Sequence, residues 1–174
     1  MDTISLKRGA AASNLKTIFL TGLLVGSLDI LTALIDYYIT RGKNPLIVLK
    51  FIASGVLGKK ALTGGTDMIA AGFLFHYIIA FSFTIFFFWL YPKLRILSRN
   101  RILTGIAYGI FIWCIMNFLV LPLSNIPSPI TYKVSKVIKA TLILIVMIGL
   151  PLSFIAYNMF HKKGTENTNK TKAL

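Results

Sequence analysis

The chain has 174 residues, 56% of them hydrophobic and 14% charged, with a single cysteine; this balance excludes a soluble domain with an ordinary charged surface and any disulfide framework within one chain. The net charge of +14 does not point to nucleic acid, because the lysines and arginines lie between and beyond apolar runs instead of clustering with aromatics on one soluble unit. Anionic membrane lipid is the expected acidic partner, each cation beside the membrane contributing about 1 kcal/mol near the surface.

Four apolar runs, 16–39, 67–91, 102–121 and 139–160, each meet the roughly 20 residues that a spanning helix needs at about 1.5 Å rise per residue. The expected fold is all-α, a polytopic transmembrane bundle of four helices in one domain over 1–160, with a short interfacial or re-entrant amphipathic helix.

The first run follows Lys7, Arg8 and Lys16 much as a signal peptide would begin, but it is too long and lacks a small-x-small cleavage site, so it reads as an uncleaved first span. Along it Gly22, Gly26, Asp29, Ala33 and Asp36 recur at intervals of four, three, four and three, on one seam. Small residues let helices approach closely in lipid, so the seam should face protein. Gly22-x-x-x-Gly26 has a counterpart in Gly105-x-x-x-Gly109 on the third run, in the same half of the membrane, and the first span is expected to pack against the third there. Asp36, followed by Tyr37 and Tyr38, stands close enough to Arg41 to pair with it at the interface.

The connection 40–66 is too apolar for a plain turn. Pro45 is a helix start signal, and Gly58 followed by Lys59 and Lys60 is a stop. The intervening residues 45–58 are too few to span, which leaves an interfacial helix or a segment that dips among the spans. Asp67 then opens the second run, where it is expected to cap the first helical amides and complement the helix dipole.

An aspartate near the middle of a span costs a few kcal/mol and needs a partner or a proton. Counted from the helix ends opposite the termini, Asp29 and His76 both lie about 14 Å deep at about 1.5 Å per residue. Asn117, Thr32 and Asp36 are shallower on the same side. The expected site is a polar pocket of Asp29, His76, Asn117, Asp36 and Thr32, open opposite the termini and closed below by Gly22, Gly26, Gly105 and Gly109. Imidazole charges near neutral pH, so Asp29 and His76 read as a proton-titratable pair; the plainer alternative is a hydrogen bond between them that fixes helix register.

On the fourth run, Gly149 and Pro151 predict a kink. The lysine-rich tail 161–174 is expected to be disordered. His161 has no second ligand at metal-site spacing, so neither metal nor cofactor is expected. Lysine and arginine are more numerous in the two termini and around Lys93–Arg101 than in the two opposite loops, which favours cytoplasmic termini.

Gly26-x-x-Asp29, the run Val48–Gly58, Gly72-x-x-x-His76, Met116-Asn117, Leu121-Pro-Leu-Ser124 and Gly149-Leu-Pro151 together resemble a group of small bacterial inner-membrane proteins, distantly similar to the YagU-like proteins. The resemblance covers residues from about 20 to 155. It implies four spans in a bacterial cytoplasmic membrane and carries no established reaction. Lys50 stands where the group leads one to expect glutamine, and Leu144 near where relatives carry a histidine, which weakens any metal site taken over from the group. The leading expectation is a non-enzymatic membrane protein of envelope or pH homeostasis. The alternatives are a small proton- or ion-coupled transporter or channel subunit working as an oligomer, and an intramembrane enzyme on lipid with Ser27 as its only nearby nucleophile.

Overall fold

A computed structural model describes residues 3–126 and 134–160, with side chains from Leu15 onward apart from that of Arg95. The basic tail 161–174, and His161 with it, lies outside the described residues. The described residues form helices α1 (Thr3–Arg41), α2 (Ile47–Leu57), α3 (Lys60–Thr63), α4 (Thr66–Leu90), α5 (Arg101–Leu123) and α6 (Val134–Phe160), and no strand occurs among them. Four of these, α1 from Leu15 onward, α4, α5 and α6, are long and apolar enough to cross a membrane. Large apolar side chains such as Phe19, Leu31, Ile85, Phe118 and Leu142 point outward, as a lipid solvent requires. The first helix begins at Thr3, well before the apolar run, and the fourth span begins at Val134 instead of 139.

Local signals explain the breaks. Gly42 adopts a positive φ of 59° and donates its N–H to the Tyr38 carbonyl at 2.8 Å, which ends α1 with a left-handed residue that glycine tolerates without strain. Asn100 caps α5 by accepting from the N–H groups of Ile102 and Leu103 at 3.0 and 3.2 Å. Asp67 makes no such cap: α4 starts at Thr66 after Gly65, and Asp67 sits inside the first turn, where only its charge meets the helix dipole. In α5 and α6 a wide π-helical turn, Met116–Val120 and Ile145–Gly149, is followed after one intervening residue by Pro122 or Pro151. A proline ring crowds the carbonyl four residues before it and donates nothing, and the widened turn accommodates both defects without ending the helix.

The glycine seams join neighbours in sequence, not the first span to the third. Gly22 and Gly26 lie against Phe81, Ala80 and Tyr77 of α4, whereas Gly105 and Gly109 lie against Gly149, Ile145 and Leu150 of α6. The expected contact between the two glycine pairs is therefore corrected: each pair closes its own hairpin, α1 with α4 across the connection that carries α2 and α3, and α5 with α6. The hairpins meet in the half that carries the termini, through Val25, Phe87, Phe88, Tyr108, Ile112, Ile148 and Leu152. The Tyr108 hydroxyl donates to the Phe83 carbonyl at 2.6 Å, and its ring lies 4.5 Å from that of Phe87.

The opposite, far half is built differently. Helix α2 lies on α4, with Leu49 and Ala53 buried and the Leu49 backbone so close to Gly72 that a Cβ there would overlap its carbonyl. Asn125, after α5, donates its backbone N–H to the Gly55 carbonyl at 2.8 Å and its side-chain amide to Val56 at 3.0 Å. These contacts hold α2 between the two hairpins.

Candidate functional site

A cavity of about 910 Å³ occupies the far half, bounded by α1, α2, α4, α5 and α6. Its floor is the buried set Val25, Ala80, Ile112 and Ile148, at the level of Gly26 and Gly109 in the glycine seams. One stripe of α1 runs its full length, from Val25 through Asp29, Ala33 and Asp36 to Arg41. The seam read from the sequence thus divides: its glycines meet α4, while Asp29, Ala33 and Asp36 turn onto the cavity.

Asp29, His76, Asn117 and Asp36 all line this space, on three different spans. Thr32 does not. Its hydroxyl donates to the Leu28 carbonyl at 2.7 Å, the usual bond of a threonine inside a helix, and the residue sits one step around α1 from the cavity stripe. Most of the wall is apolar, from Phe51, Ile52, Phe83, Trp113 and Ile148 among others, so the expected polar pocket is an apolar chamber with a few polar groups set into it.

His76 is 8% exposed, and its Nε2 lies 2.8 Å from the Gly26 carbonyl. With the proton on Nε2 the ring donates to the free lone pair of a carbonyl already used by its own helix. Glycine at position 26 is what lets α4 come near enough, since a Cβ there would stand 3.1 Å from that of Ala80. The expected hydrogen bond from His76 to Asp29 is not formed. Asp29 is within electrostatic reach of His76, yet among the described residues no donor reaches its carboxylate. Neither the carboxylate oxygens nor Nδ1 is sealed off, so a ligand in the chamber can reach both.

Asp36 pairs with Lys139 of α6 and not with Arg41. Arg41 is the last residue of α1, and its position brings it to the chamber rim with Lys136 and Lys139. Asn117 donates to the Trp113 carbonyl at 2.9 Å. Ser27, the nucleophile considered for an enzyme, shares a 2.7 Å hydrogen bond with the Tyr77 hydroxyl and does not line the chamber. Among the described residues no group of three or more His, Cys, Asp or Glu side chains could hold a metal ion.

No family model matches the chain, and no curated protein and no solved structure matches it. The site is therefore read from its own geometry. The sequence offered α2 as an interfacial helix or one dipping among the spans, without its place in the chamber wall, and the rim cations were not found; the signal for them was that Arg41, Lys136 and Lys139 all fall at span ends on one side.

Proposed function

We propose that this chain is a non-enzymatic multi-pass protein of the bacterial cytoplasmic membrane that binds a small, mainly apolar molecule in its far-side chamber and serves envelope homeostasis. One observation carries the reading: a ligand-sized space with apolar walls, into which the carboxylate of Asp29 and the imidazole of His76 both open. Binding sites commonly enclose about 300–1,000 Å³ and combine apolar walls with a few fixed polar groups. The resemblance to small bacterial inner-membrane proteins and the bias of basic residues toward the termini support the location, with both termini cytoplasmic and the chamber mouth on the outer face.

Trp113 lines the chamber, and the only other tryptophan, Trp89, lies outside it on α4. In Trp89→Phe protein in lipid nanodiscs, a dibrominated long-chain alcohol should quench Trp113 with a saturable component that Ala33→Phe, which fills the chamber, removes. Quenching that never saturates and ignores the filled chamber would reject the reading.

A second reading is favoured by the accessibility of both titratable groups: proton-coupled movement of the ligand by an oligomer, since four spans leave little room for a private pathway. Proton flux into liposomes between pH 5 and 8, lost in both His76→Ala and Asp29→Asn, would establish it; no flux would leave binding alone.

A further inference from the structure

The chamber is graded along its length. Its floor is Val25, Ile112 and Ile148, all buried and apolar, and its rim carries Arg41, Lys136 and Lys139. Val25 and Arg41 share one helix and stand 16 residues apart, about 24 Å at the helical rise of ~1.5 Å. The space is thus long enough for an extended chain.

Charge fixes which end of a ligand goes where. Lys139 is neutralised by Asp36, whereas Arg41 and Lys136 have no carboxylate partner among the described residues, so the rim has surplus positive charge. Asp29 lies 12 residues below Arg41, about 18 Å deeper at ~1.5 Å per residue. An anionic group is attracted at the rim and repelled at that depth. A cationic group would find Asp29 attractive, but it would have to pass Arg41, Lys136 and Lys139 to reach it. The order of charges therefore selects a molecule with a negative head and an apolar tail, head at the mouth.

Resting on the proposed role of the chamber as a binding site, we propose that its ligand is an anionic amphiphile, a long apolar chain bearing a phosphate or similar group, with Arg41 and Lys136 holding the head and the chain lying along the α1 stripe toward Val25. Arginine offers a planar fork that matches phosphate oxygens, and lysine adds a mobile point charge. The aliphatic and aromatic walls supply the apolar contact below.

The test compares three dibrominated probes with the same chain, a phosphate monoester, the neutral alcohol and a trimethylammonium, by quenching of Trp113 in the Trp89→Phe protein. The phosphate should bind about tenfold more tightly than the alcohol, equivalent to roughly 1.4 kcal/mol, and the ammonium more weakly than either. The advantage should shrink as salt screens the exposed rim, and vanish in Arg41→Gln/Lys136→Gln while the alcohol still binds. The neutral probe thus also reports that the double variant is folded, and the salt series tests the same point without any substitution. Inorganic phosphate should not displace the amphiphile at equal concentration; if it did, the rim would be a site for free anions and the proposal would fall. Equal binding of phosphate and alcohol, or tighter binding of the ammonium, would overturn the proposal while leaving the chamber as a binding site. Absence of saturable quenching by all three would instead remove the underlying reading.

Discussion

His76 is held by one atom, its Nε2 at the Gly26 carbonyl, and Asp29 by none of the described donors. The two residues should therefore respond differently to substitution. Replacing His76 with Leu loses one interhelical hydrogen bond, which in lipid is worth about 1 kcal/mol, and should lower the unfolding temperature of the purified protein; His76→Gln, which keeps a donor, should recover part of the loss. Asp29→Leu should unfold no earlier than Asp29→Asn, because no hydrogen bond is broken in either case and an isolated carboxylate is removed from an apolar wall. An earlier transition for Asp29→Leu alone would restore the Asp29–His76 bond expected from the sequence. Tyr91 gives a third case: it is 2% exposed and its hydroxyl is buried without a partner among the described residues. Tyr91→Phe should stabilise by about 1 kcal/mol in the same melt. Depth was legible at this scale, since counting along two helices placed Asp29 and His76 at one level. Orientation was not, because a 4-3-4-3 seam is broad enough for its glycines to touch α4 while its acids face open space.

At the scale of elements, the close backbone contacts decide which helices can pair. A methyl on Gly72 would overlap the Leu49 carbonyl, and backbone cannot yield as a side-chain tip does, so Gly72→Ala should cost about 2 kcal/mol and loosen α2 from α4. Gly55, also in α2, has its nearest atom, Ser124 Cβ, at 3.7 Å, so Gly55→Ala should be neutral or gain about 0.5 kcal/mol from lower chain entropy. Similar loss in both would mean that α2 is not seated on the second span. The Asp36–Lys139 pair links α1 to α6 across the mouth but is half exposed, at 35% and 49%. Its coupling in a double-mutant cycle should stay below about 1 kcal/mol. The spans themselves were legible because apolar length alone specifies them. Partner choice was not, because Gly-x-x-x-Gly states that a helix is approached closely and not by which neighbour. Pro151 announced an irregularity, but its form, a widened turn shared with Pro122, depends on how each helix rebuilds its hydrogen bonds around the ring.

At the scale of the molecule, four helices able to span place both ends of the bundle on one side, and the proposed orientation puts that side in the cytoplasm. A reporter that fluoresces only in the cytoplasm should be active when fused after Leu174, and a secreted phosphatase in the same position should be silent; the reverse would turn the chamber mouth inward. The two hairpins are joined tightly only in the half near the termini, and α2 completes the wall of the other half by resting on Gly72. That seat has a consequence for biogenesis. Helix α2 leaves the ribosome before the surface that receives it, and its second support, Asn125, is made some seventy residues after Gly55. It must therefore wait at the membrane surface until α4 and then the end of α5 have been inserted, and the chamber comes into being late in synthesis, when a segment already made turns back and docks.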